Sequence, residues 1–142
     1  MMKYQPHFIV VLFSLFASIA IAQDYVVPKG VTVLTGEQLL NQVVGNTFYN
    51  YNWDEYYEPP PEGRLEGKLK IKHNRYGLVG GTWSIKGSQF CINYDKLPLS
   101  HHGDCFTFAM DGEKVTYYKA DGSIWYSKGG TIKQKIGNPN NL

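Results

Sequence analysis

The side chains in this sequence that could do chemistry fall into three sets. Cys91 and Cys105 could supply a thiolate or a disulfide. His101, His102 and Asp104, with His73 elsewhere, offer the imidazoles and carboxylate that hold zinc or copper. Asp54, Glu55, Glu58, Glu62 and Glu66 offer carboxylates that could pair for acid–base work at a glycosidic bond. Each set also has a plainer reading. Adjacent histidines on a loop diverge, and a metal needs three or four convergent ligands, so this cluster reads as a solvated loop and no metal is expected. Nothing in the spacing of the carboxylates places a pair across a cleft. The glycine-rich stretch 77–82 is followed by no Gly-Lys-Ser/Thr and so is not a phosphate loop. No catalytic residue and no cofactor is expected, and the chain reads as a non-enzyme.

The cysteines are better explained as a staple. Strand side chains alternate between faces, and Phe90, Ile92 and Tyr94 form one apolar row while Phe106, Phe108 and Met110 form another. Cys91 and Cys105 then each lie on the face opposite their own strand's row. Paired directly across a hairpin, they place Asn93 opposite Gly103 and Asp95 opposite His101, with the connecting loop centred on Pro98. A disulfide sulfur has no thiolate, so neither cysteine is read as a nucleophile.

Such a bridge persists in oxidising compartments. The first residues agree with that: Lys3 precedes an apolar run at 8–16, and Ala20 and Ala22 have the small-x-small arrangement that precedes signal-peptidase cleavage. The expected leader is 1–22, the mature chain starts at Gln23, and the location is periplasmic or secreted. The apolar run is short for a bilayer span, so no stable membrane insertion is expected after cleavage. Residues 23–142 are the size of one small domain with a single core. Without the leader, 13 basic residues stand against 12 acidic ones, which argues against nucleic acid as a partner.

The elements that would position these groups are mostly strands. Thr35 with Gln38 forms a capping box and Leu34 with Leu39 a hydrophobic staple, so a short helix follows, with Leu39, Leu40, Val43 and Val44 as its apolar stripe and Gly45 as its stop. From Asn46 the pattern alternates, and Tyr49, Tyr51 and Trp53 are read as one face of a first strand. The next stretch, 54–67, is read as a loop because Pro59, Pro60 and Pro61 cannot donate to a ladder. Residues 65–73 form a strand with Leu69 and Ile71 on one side and Lys68, Lys70 and Lys72 on the other. A glycine-rich, tight or bulged entry leads to the strand of Trp83 and Ile85. Asp111-Gly112 and Asp121-Gly122 are turns that bound strands at 115–118 and 124–126, and a last strand lies near 131–136. The expected fold is all-β with one short N-terminal helix: an antiparallel meander of seven to eight strands, curled or closed as a small lipocalin-like barrel.

The succession LTGEQLLNQVVGNT, YYEPPPEGRLEGK, GGTWSIKGSQFCINY, DCFTFAMDGEKVTYY, KADGSIWY and GNPNNL resembles small exported bacterial proteins of domain of unknown function 995, or a close relative. It differs in PPPEG, where a simpler Asp-Gly turn is expected. The resemblance implies an exported small β domain and brings no catalytic residues with it. Two roles fit such a domain. In the first, aromatic side chains (Trp53, Trp83, Phe90, Phe108, Tyr117 and Trp125) line an interior or open end that holds a small apolar or amphipathic ligand, although the same residues could simply fill the core. In the second, loops such as 101–104 or 59–61 dock on an envelope enzyme as an interaction or inhibitor module.

Overall fold

A computed structural model describes residues 24–96, 104–126 and 129–142. The expected leader and the loop centred on Pro98, with His101, His102 and Gly103, lie outside these residues. The helix is α1 (Gly36–Gln42) and the strands are β1 (Thr47–Tyr49), β2 (Trp53–Tyr57), β3 (Glu66–His73), β4 (Gly77–Lys86), β5 (Gln89–Tyr94), β6 (Asp104–Asp111), β7 (Lys114–Tyr118) and β8 (Ile132–Lys135). Each strand pairs antiparallel with the next, and β8 returns to β1, so the eight strands form a closed barrel. Closure removes the unpaired edges that a curled sheet would expose.

Alternation sends one row of each strand inward. Phe48, Tyr57, Trp83, Phe90 and Phe108 are almost fully buried, joined by Leu69, Ile71, Ile92, Val115 and Ile132. The lysines of β3 face out, and Lys70 lies 3.6 Å from Glu58. Gly67 sits directly across from Trp83, and a Cβ there would collide with the indole ring. A glycine is therefore needed for the ring to lie flat across β3 and donate from Nε1 to the Glu58 carbonyl at 3.0 Å.

Helix α1 begins as its capping box requires: Gln38 N donates to Thr35 Oγ1 and Thr35 N donates to Gln38 Oε1. Leu39 and Val43 are fully buried. The helix covers one end of the barrel, where Gly36 approaches the Gly87 carbonyl of the β4–β5 turn too closely for any side chain. Two further bonds hold it there, from Leu34 N to the Phe108 carbonyl and from Gly45 N to the Tyr57 carbonyl, both at 2.7 Å.

Cys91 and Cys105 are direct partners across β5 and β6 and form a disulfide. With Phe90 and Phe106 turned inward, the bridge lies on the outer surface of the barrel. Beside it Thr82, Ser84, Lys86 and Asn93 line a shallow polar depression.

Four local features differ from the sequence reading. Residues 49–53 do not form one strand: Asn50 Oδ1 accepts from the backbone N–H of Asn52 and Trp53, turning the chain between β1 and β2. Tyr51 is thereby exposed at the turn, Tyr49 faces outward beneath the Lys135 ammonium, and Phe48 takes the inward place. The stretch before the prolines is strand β2, so the loop starts only at Glu58. Strand β4 starts at Gly77 without a bulge, and Gly81 is required because a Cβ would overlap the Asn93 carbonyl of β5. Residues 124–126 do not form a strand: they meet β7 beyond the part paired with β8, through one bridge from Ile124 to Tyr118 and a bond from Trp125 N to the Tyr117 carbonyl at 2.8 Å.

Replacing Cys91 and Cys105 together with serine should lower stability by roughly 2–4 kcal/mol, since the bridge restricts the unfolded chain while the apolar rows still set the register. Denaturant midpoints with and without reductant check this. Oxidised parent protein should label with no thiol reagent, and a double variant as stable as the parent would contradict the staple.

Candidate functional site

Five of the six aromatic residues singled out in the sequence form a continuous column through the barrel. Trp83 stacks on Phe90 with ring centres 5.6 Å apart, Phe90 meets Phe108 at 5.3 Å, and Phe108 stacks on Tyr117 at 4.1 Å. Tyr117 in turn stacks on Trp125 at 5.8 Å. Trp83, Phe90, Phe108 and Tyr117 are buried, and Trp125 is half-buried where it also meets Phe106. The sixth residue, Trp53, is buried on the same inward row as Glu55 and Tyr57.

That row carries a charge into the interior. Glu55 lies between Trp53 and Tyr57 on β2 and is 1% exposed. Burial lifts its carboxyl from the ordinary 4.5 to about 7, a rise that tyrosine hydroxyls partly offset. Tyr94, inward on β5, donates from its hydroxyl to Glu55 Oε1 at 2.9 Å. The hydroxyls of Tyr57 and Tyr117 are buried and make no hydrogen bond of good geometry, but they lie close to one another, and that of Tyr57 lies close enough to Glu55 to favour its charged form. Burial first, and the Glu55 carboxylate second, hold Tyr57, Tyr94 and Tyr117 well above the ordinary tyrosine range, so all three remain protonated donors. The site is thus one carboxyl and three phenols enclosed by aromatic rings.

One end of the barrel is covered by α1. At the other end Trp53 lies beside its strand partner His73, and Tyr94 closes the inward row of β5. Asp104 and Trp125 are half-buried at the same end. His73 Nδ1 accepts from the Arg75 N–H at 3.0 Å, and burial followed by the Arg75 charge lowers its pKa. No group of three or more His, Cys, Asp or Glu among the described residues could hold a metal, and His101 and His102 lie outside them.

The remaining carboxylates are directed elsewhere. Glu58 pairs with Lys70, Glu66 lies 3.7 Å from Arg64, and Asp54 accepts from Asn140 Nδ2 at 3.0 Å. Glu62 is exposed in the proline loop. Glu55 is therefore separated from the other members of the carboxylate run by its place on an inward row.

Compared with known proteins, the chain matches no family model, no curated protein and no solved structure. The geometry itself must therefore carry the functional reading. Sequence reasoning counted Glu55 among the carboxylates and Tyr94 among the apolar rows without joining them. The available signal was Trp53-x-Glu55-x-Tyr57, a strand row in which an acidic residue sits between two aromatics.

Glu55 should make stability depend on pH. Below about pH 4.5 its carboxyl is protonated whether the chain is folded or unfolded, and its full contribution is present. As pH rises toward about 7 the unfolded chain releases the proton first, and stability falls by roughly 3 kcal/mol before levelling off. Glu55→Gln keeps an acceptor for Tyr94 and removes the titration. The difference in unfolding free energy between parent and variant, measured from pH 4 to pH 8, should shift by that amount in the variant's favour. An unchanging difference would mean that Glu55 titrates as an exposed carboxyl does.

Proposed function

We propose that this chain is an exported, non-enzymatic barrel that binds one small amphipathic ligand in its interior. The observation that carries the reading is a carboxyl, Glu55, buried with the hydroxyls of Tyr57, Tyr94 and Tyr117 inside an otherwise aromatic barrel, two of those hydroxyls making no hydrogen bond of good geometry. A buried polar group without a partner costs about 1–3 kcal/mol, and a buried carboxylate costs more. In a structural core, aliphatic side chains would fill the same volume without that cost. A polar cluster of this kind is what orients a ligand whose body lies against aromatic rings. Eight strands enclose an interior that side chains can fill or that can hold one small ligand.

The disulfide suggests an oxidising, exported environment, and the leader sequence with its Ala20-x-Ala22 site supports a periplasmic or secreted location. The resemblance to exported proteins of domain of unknown function 995, and the analogy with lipocalin-like barrels, fit the same reading. Tyr51, Leu78 and Tyr126 favour a second one: these apolar side chains are strongly exposed at the end opposite α1, where a partner protein of the envelope could dock.

The two readings separate in one experiment. Protein purified from the periplasm and examined by native mass spectrometry should carry a small molecule that organic extraction removes, with tyrosine and tryptophan fluorescence changing on its loss. A bare chain whose fluorescence no extraction alters would overturn the ligand reading in favour of the docking surface.

A further inference from the structure

We infer that the disulfide between Cys91 and Cys105 is an exchangeable bond: a small anionic thiol that enters the depression beside it thiolates Cys105 and releases Cys91. The inference concerns the outer surface and is independent of any ligand in the interior.

The depression has a volume of about 390 Å³, which is enough for a small molecule, and the disulfide forms part of its wall. The rest of the wall comes largely from outward positions of β4 and β5. Thr82 and Ser84 supply hydroxyls, Asn93 an amide and Lys86 an ammonium, and no carboxylate lines it among the described residues. The neighbouring charges keep that sign. Lys68 on β3 stands across from Thr82, and Glu66, across from Ser84, lies 3.7 Å from Arg64. A thiol attacks a disulfide as its thiolate, so a positive and partly exposed setting draws the nucleophile in and favours its reactive form.

The two sulfurs are not equivalent. Cys91 is 7% exposed and paired on both sides, with β4 and with β6, whereas Cys105 is half-buried and β6 gains its β7 partner only from Thr107 onward. The more exposed member is the one a thiol reaches. The buried member has the better surroundings for a departing anion: Ser84 is directly across from Cys91 on β4, and Lys86 is its diagonal neighbour on the same outward face. Access and leaving-group stabilisation therefore select one direction of attack.

In the step, the attacking thiolate sulfur gives its electron pair to a new bond with Cys105 Sγ. The bond between the two Sγ atoms breaks, and its pair departs on Cys91 Sγ as a thiolate that takes a proton from water. The small thiol is the reductant and ends as one half of a mixed disulfide; attack by Cys91 on that disulfide restores the starting state. The barrel does not have to open for this, because β5 stays paired with β4 along its whole length and β6 with β7 from Thr107.

The test uses the full oxidised protein under native conditions and three small thiols that differ in charge: mercaptoacetate, 2-mercaptoethanol and cysteamine. Short exposures are quenched in acid, free thiols are alkylated, and peptide mass mapping locates the adduct and the alkyl group. The adduct should sit on Cys105 and the alkyl group on Cys91. Per thiolate, mercaptoacetate should react fastest and cysteamine slowest, each step being about two- to fivefold, the scale of one added charge near a partly exposed ammonium. Lys86→Gln should flatten that order and Lys86→Arg should keep it, which a merely structural role for Lys86 would not produce. Adducts on Cys91, rates that the charge of the thiol does not order, or exchange that proceeds only in proportion to the globally unfolded fraction in denaturant would each overturn the inference and leave the bridge an inert staple.

Discussion

An eight-stranded barrel that closes on itself gives each strand two neighbours and turns one row of every strand into a shared, buried interior. Whatever points inward must be paired or must bear the cost of desolvation. Here nearly all inward side chains are apolar or aromatic, which is the inexpensive solution, and the aromatic column from Trp83 to Trp125 fills much of the space. Glu55 is the exception on which the account depends. Burial opposes ionisation of its carboxyl strongly enough to raise the pKa to about 7, and the hydrogen bond from Tyr94 offsets only part of that penalty.

The rest of the architecture leaves that interior site undisturbed. Helix α1 covers one end, held by its capping box and by backbone bonds to β2 and to the carbonyl of Phe108. The disulfide lies outside the barrel, so it joins β5 to β6 without using interior volume. Gly67 and Gly81 let neighbouring groups approach more closely than any Cβ would allow, which brings Trp83 flat across β3 and β4 against β5. The disulfide and the polar cluster thus lie on different faces of the sheet.

What the sequence made legible was local. The capping box at Thr35 and Gln38, the outward lysines of β3 and the direct opposition of Cys91 and Cys105 follow from spacing alone, because each depends on neighbours a few residues away or on strict alternation. The inward position of Glu55 was hidden for two reasons. The prolines at 59–61 drew the preceding residues into a loop, and the Asn50 turn shifted the face assignment between Tyr49 and Trp53. Even with β2 recognised, Tyr94 and Tyr117 reach Glu55 only because β5 and β7 curve around the barrel, and closure is not a property of any one segment. The 124–126 stretch shows the same limit: β8 takes the Lys114–Val115 part of the β7 edge, and the stretch meets the remainder only through the Tyr118–Ile124 bridge and the Trp125 N–H to Tyr117 carbonyl bond.

The central claim is that an ionisable carboxyl is enclosed in the barrel, and its own titration reads that most directly. Carbon-detected NMR of protein labelled at the glutamate side-chain carboxyl, with Glu55→Gln used to assign the resonance, follows the group through pH. The account predicts a midpoint near 7 for Glu55. A midpoint near the ordinary 4.5 would show the carboxyl to be in contact with water and would contradict the interior site.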